Sequence, residues 1–117
     1  MTMISVVDPQ EWSTFLNGFT ERNRGRRARF EIFSRGNSSE EQQEGHFEHI
    51  SIDGHTVTVK RTYTAQGRES VMTDELNNVR GISVQYDTDK SEDMLEFADG
   101  EGNLTTLHFE SHVDGDS

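Results

Sequence analysis

The chain has 117 residues, 30% of them hydrophobic, and a formal net charge of -11, at a mass of 13.3 kDa. That is one domain's length, and the lack of cysteine excludes disulfide frameworks, thiolate metal sites and cysteine nucleophiles. The charge opposes tight binding to nucleic acid or anionic membrane.

In chain order, Met1 to Val7 has neither a basic start nor a long apolar centre, so it does not read as a secretory signal. No apolar run approaches the ~18 residues of a membrane-spanning helix, and a cytoplasmic location is expected. Residues 8 to 23 carry a helix signature. Asp8 can cap it, Pro9 suits its first position and Glu11 completes a capping box. Val7 can staple to Trp12, and Trp12, Phe15, Leu16 and Phe19 form one apolar stripe. Gly25 is placed to stop the helix.

Beyond Gly25 the apolar period falls to two. Ala28, Phe30 and Ile32 share a strand face over 27–33, and 35–41 reads as a polar loop. Phe47, Ile50 and Ile52 mark an extended run over 43–52. Asp53-Gly54 then predicts a tight hairpin into 55–63, where Val57, Val59 and Tyr63 share a face. Gly67 suggests a turn, 69–73 a short strand, and 74–78 a loop or a helical turn. Ile82, Val84 and Tyr86 mark a strand over 79–87, Leu95 and Phe97 one over 94–98, and Leu107 and Phe109 one over 104–112. Asp99 to Asn103 is a glycine-rich hairpin turn, and 114–117 reads as a frayed acidic tail after a single domain over 1–113.

Alternation with one polar face implies antiparallel pairing. The expected class is α+β: an N-terminal helix packed on a bent antiparallel sheet, or a half-open small β-barrel, of about six strands.

Several segments together resemble a family of small stand-alone bacterial proteins described only as a domain of unknown function. They are Glu11-Trp12 with Phe15-Leu16 and Phe19, Asn23 with Gly25-Arg26, His49 to Asp53, Leu95-Glu96-Phe97 before Asp99-Gly100, and Thr105 to Phe109. The resemblance spans most of residues 8 to 110. It implies a compact single domain and no catalytic residue, cofactor or substrate.

The most distinctive charge feature is basic. Arg22, Arg24, Arg26, Arg27 and Arg29 lie within eight positions, which suits a phosphate or nucleic-acid patch. The simpler reading places Arg22 and Arg24 at the negative end of the helix dipole and pairs Arg27 and Arg29 with acids such as Glu44 or Glu48. Residues 1–36 carry six cations against four acids, net +2, and residues 87–117 one cation against ten acids, net -9. His108, Glu110 and His112 fall on one strand face, but at ~7 Å per pair they do not converge on one metal without strand curvature. His46 and His49 fall on opposite faces of a regular strand. Asp87, Asp89, Glu92 and Asp93 cluster without metal-loop spacing, and Asp99 to Asn103 resembles a calcium turn less than a hairpin.

No catalytic residue, metal or cofactor is expected. The leading expectation is a non-enzymatic protein-interaction or regulatory module, acting through a sheet face or edge strand on a protein partner or on itself as a homodimer. One alternative is a small-ligand binder with a helix–sheet pocket lined by Trp12, Phe15, Phe19, Phe30 and Tyr63. Another is an Sm-like RNA-binding module with the arginine cluster turned outward.

Overall fold

Asp8 and Pro9 start the helix, but in two steps. In the computed structural model, which describes residues 3–34, 37–40 (by backbone alone) and 45–110, Pro9–Glu11 is a 3₁₀ turn and α1 runs over Trp12–Asn23. Asp8 accepts the Gln10 N–H at 2.9 Å. The cap therefore closes the tighter turn instead of the box expected with Glu11. Gly25 takes φ +94° and donates its N–H to Phe47 O at 2.7 Å, which turns the chain from helix into sheet.

Among the described residues, nine antiparallel strands follow or flank the helix: β1 Met3–Val6, β2 Arg27–Ser34, β3 Asn37–Glu40, β4 Gly45–Asp53, β5 Thr56–Ala65, β6 Arg68–Leu76, β7 Val79–Tyr86, β8 Glu92–Asp99 and β9 Leu104–Phe109. Their order is β1-β7-β8-β9-β2-β4-β5-β6, with β3 paired to β2 off that path. The two end strands do not pair with each other, so the sheet is bent but unclosed. The α+β class stands, with more strands than about six. The additions are β1 and β3, the latter inside the expected polar loop, while β6 lengthens the short strand expected over 69–73 through 74–76, where a loop or helical turn is expected. Backbone pairing with β7, β2 and β5 decides these segments, whose own side chains alternate too briefly or too irregularly to mark a full strand. The tail expected at 114–117 lies outside the described residues.

The sheet turns a corner at the start of β2. Only Arg27↔His46 and Ala28↔Gly45 join β2 to β4, while β2 pairs with β9 over six positions on its other side. Gly45 sits in the crease: a Cβ there would meet Met72 Cε at 2.8 Å, Arg61 Cβ at 3.0 Å and Thr62 O at 3.2 Å. Arg61, fully buried, ties the corner. It donates to Ala28 O at 3.1 Å, pairs with Asp74 Oδ2 at 3.2 Å and stacks 4.7 Å above the Phe30 ring. A buried guanidinium is tolerated when an opposite charge pairs with it and an aromatic face covers it in this way.

The core is a single cluster. Trp12, Leu16 and Phe19 from α1 pack on Phe47, Ile50, Val57, Val59, Ile82, Val84, Leu95, Phe97, Leu107 and Phe109. Phe19 lies in an aromatic cage, with ring centroids 5.7 Å from Phe47 and 5.1 Å from Phe109. Thr20 docks the helix, its hydroxyl accepting the Ile50 N–H at 3.1 Å.

Three register shifts alter which way side chains point. They fall between Phe47 and His49 in β4, between Val79 and Gly81 in β7, and opposite Gln85–Tyr86, where β8 passes from Met94 to Glu92. Each inserts one residue and reverses the alternation beyond it. Ile32, expected inward with Ala28 and Phe30, is instead 45% exposed, in the part of β2 that pairs with β3 as well as β9. The Asp53-Gly54 signal also shifts by one: Asp53 pairs with Thr56, so Gly54 and His55 form the turn, and only Gly54 has positive φ, +63°. That is the II′ pattern, not the I′ pattern.

Candidate functional site

The arginine cluster does not form one outward basic patch. Arg26 is buried, Arg24 reaches Glu21 at 3.4 Å and Glu48 at 3.8 Å, and Arg27 lies 3.7 Å from Glu110. Arg29 is half-buried on β2. Arg22 and Arg26 are drawn instead into a polar latch around Glu92. Arg22 Nε and Nη2 donate to Glu92 Oε1 and Oε2 at 3.0 and 2.7 Å, and Asn23 Nδ2 donates to Oε1 at 2.8 Å. Arg26 donates to Asn23 Oδ1 at 2.9 Å, to the Glu92 carbonyl and to the Glu110 carbonyl. Its guanidinium lies 5.3 Å from the Phe109 ring centroid.

The latch joins the end of α1 to the start of β8 and the end of β9. The Glu92 hydrogen bond raises the Arg22 pKa above its ordinary value, with desolvation opposing. Desolvation lowers that of Arg26, against the raising influence of the Asp93, Glu92 and Asp89 charges. Glu92 is only 8% exposed, although its neighbours Asp87, Asp89 and Asp93 read as one solvated acidic turn. The inserted residue Asp93 turns Glu92 to the core face beside Tyr86, its cross-strand neighbour. Local sequence carries no signal for that insertion.

Beside the latch opens a cleft of about 510 Å³ lined by Phe15, Arg22, Asn23, Tyr86, Lys90, Ser91 and Glu92. Of the aromatic residues expected to line a helix–sheet pocket, only Phe15 borders it. Trp12, Phe19 and Phe30 are buried in the core, and the Trp12 indole N–H donates to Val7 O at 3.1 Å. Tyr63 is half-buried on β5 opposite Ser70, away from this cleft.

The histidines are distributed, not convergent. The insertion in β4 places His46 and His49 on the same outer face, opposite Thr62 and Lys60; a regular strand would have separated them. His108 Nε2 lies 3.0 Å from Glu31 Oε1 and 3.1 Å from the Thr106 hydroxyl, whereas His112 lies outside the described residues. No group of three or more His, Cys, Asp or Glu side chains placed to hold a metal occurs among the described residues. The Asp99 carboxylate is already filled by N–H donors: Glu101 N, Asn103 N and Asn103 Nδ2, each at 2.9 Å. These contacts make it the organiser of a hairpin turn.

A second surface lies at the sheet edge, on a strand that sequence reasoning did not find. β1 carries Met3, Ile4 and Val6 at 65, 61 and 77% exposure. Val7 N–H donates to Ile82 O at 2.9 Å, continuing the Met3↔Tyr86 and Ser5↔Val84 register. Residues 3, 5 and 7 therefore turn their backbone groups toward β7. By antiparallel alternation the N–H and C=O of Ile4 and Val6 point outward, where no strand pairs with them among the described residues. The opposite edge differs: β6 carries Arg68, Glu69, Asp74 and Glu75, charges of the kind that guard an edge against pairing. The clue in the sequence is only Ile4-Ser5-Val6, too short to stand out as alternation.

No helix among the described residues is long and apolar enough to cross a membrane. No protein-family model, curated protein or solved structure matches the chain.

Proposed function

We propose that this protein is a non-enzymatic binding module that takes an extended segment of a protein partner onto the β1 edge by strand addition. The observation that carries this reading is the outward ladder of Ile4 and Val6, uncharged and apolar, on an otherwise well-packed sheet. Main-chain hydrogen bonds supply affinity in this mode, and alternate side chains supply selectivity.

The test uses a ¹⁵N-labelled chain titrated with an octapeptide of alternating valine and serine. Saturable shifts and slowed hydrogen exchange at the Ile4 and Val6 amides are expected. Ile4→Pro removes an outward donor without removing a β1–β7 bond, so it should abolish binding and leave the unfolding midpoint nearly unchanged. Binding that survives Ile4→Pro, or no binding at this edge, would overturn the reading.

The cleft beside Glu92 favours a second reading, small-ligand binding. Its volume of about 510 Å³ falls in the range of ligand pockets, and Phe15 and Tyr86 offer apolar wall beside the charges of Arg22 and Lys90. Ligand-induced shifts at Asn23 and Tyr86, with Ile4 and Val6 silent, would favour it.

A further inference from the structure

The geometry points to a second copy of this chain as the segment that fills the β1 edge, in an antiparallel pair whose two-fold axis passes beside Ser5. This inference rests on the edge-docking reading above and names its partner.

Three observations carry it. The first is hydrogen-bond parity. A two-fold axis at Ser5 sets Ile4 opposite Val6 of the second copy, and Val6 opposite its Ile4. These are the two residues whose N–H and C=O groups point outward. Each pair exchanges both bonds, so the seam closes four ladder hydrogen bonds, and Ser5 faces Ser5 in a non-hydrogen-bonded pair. The same operation gathers four β-branched side chains, two Ile4 and two Val6, into one apolar patch on the outer face. Alone, each copy leaves these side chains 61 and 77% exposed.

The second is charge. At a net charge of -11, two copies repel overall, most strongly where acid-rich surfaces meet. β1 and β7 carry one charged side chain between them, Arg80, so edge-to-edge pairing joins the copies where the acid is sparse. The third is closure. The exposed charges of β6, Arg68, Glu69 and Glu75, oppose pairing of β1 with the far edge of another copy, which would propagate an open filament. Pairing of like edges closes at two.

The seam is short, so the association is weak and concentration-dependent. Sedimentation equilibrium of the wild-type chain should show the average mass climbing from 13.3 kDa toward twice that value, and Ile4→Pro should hold it at one chain. Because the chain has no cysteine, Ser5→Cys provides a geometric check. A non-hydrogen-bonded antiparallel pair has Cα atoms about 4.5 Å apart, within disulfide reach. Ser5→Cys should therefore cross-link into a dimer under mild oxidation at least about tenfold faster than Ile4→Cys, whose two copies are offset along the strands.

Equal cross-linking rates, or a single-chain mass up to millimolar concentration, would overturn the inference. A single-chain mass with retained octapeptide shifts at Ile4 and Val6 would overturn it alone and leave the binding module standing. Loss of both would remove both. A dimer that Ile4→Pro does not dissociate would place the interface elsewhere and also refute it.

Discussion

Replacing Glu92 by glutamine tests the latch that holds α1 to the sheet. Three donors converge on the two carboxylate oxygens: Arg22 Nε and Asn23 Nδ2 on Oε1, and Arg22 Nη2 on Oε2. Glutamine keeps the shape but offers one acceptor and one amide that must face a donor. Arg22 is 50% exposed, so its guanidinium can turn to water, and that part of the loss is limited to about 1 kcal/mol. Asn23 is buried and cannot. Loss of a charge-assisted bond to a buried partner costs about 1.5–3 kcal/mol. Together the expected destabilisation is about 1.5–4 kcal/mol, and at roughly 0.25 kcal/mol per kelvin for a chain this long the midpoint falls by about 6–16 °C.

Arg22→Ala should cost less, about 1 kcal/mol, because truncating that side chain opens the cleft and lets water reach Oε2. Urea unfolding read by Trp12 measures both variants. It is the only tryptophan and is 6% exposed in the folded state, so its emission reports the loss of the core. An Arg22→Ala penalty equal to or above that of Glu92→Gln would refute this account, as would a Glu92→Gln variant within about 0.5 kcal/mol of wild type.

Gly45→Ala should destabilise by about 1–3 kcal/mol, since the Met72 methyl can swing aside but Arg61 Cβ and the Thr62 carbonyl cannot; the same urea titration checks it, and a neutral outcome would mean the crease is wider than described. Asp99 provides a pH prediction. The Asn103 side chain, then the Asn103 and Glu101 backbone N–H groups, lower its pKa below the ordinary 3.8. A carboxylate depressed in the folded state stabilises the fold above its unfolded pKa, and that contribution fades as pH falls through the lower folded value. A carboxyl-carbon NMR titration should place its inflection below 3.8, and Asp99→Asn should flatten the acid side of the stability profile. An inflection at or above the ordinary value would contradict the turn geometry.

Much of the framework was legible because it depends on local pattern. The stripe Trp12, Leu16 and Phe19 is the buried face of α1, and the pairs Val57–Val59, Ile82–Val84, Leu95–Phe97 and Leu107–Phe109 all turn inward. The Asp99 to Asn103 turn was legible for the same reason, since its bonds join residues at most four apart. The site was less legible. Arg22 and Arg26 stood out, but nothing local marks Glu92 as the acid, some 70 residues away, that gathers them.

The sequence by itself determined the helix, most of the strands, their antiparallel sense and an apolar supply sufficient for one core. These follow from periodicity, which each segment carries within itself. Only the tertiary structure decided the rest. Inserted residues at Glu48, Arg80 and Asp93 reset which side chains face inward, because a bulge depends on the partner strand. The corner at Gly45 and Arg61, the strand character of 37–40 and the pairing of Met3–Val6 with β7 likewise arise from backbone bonds to distant segments. Those bonds draw on groups that every residue possesses, so no side-chain pattern announces them. They leave Ile4 and Val6 with an unfilled edge, which neither composition nor charge could have disclosed.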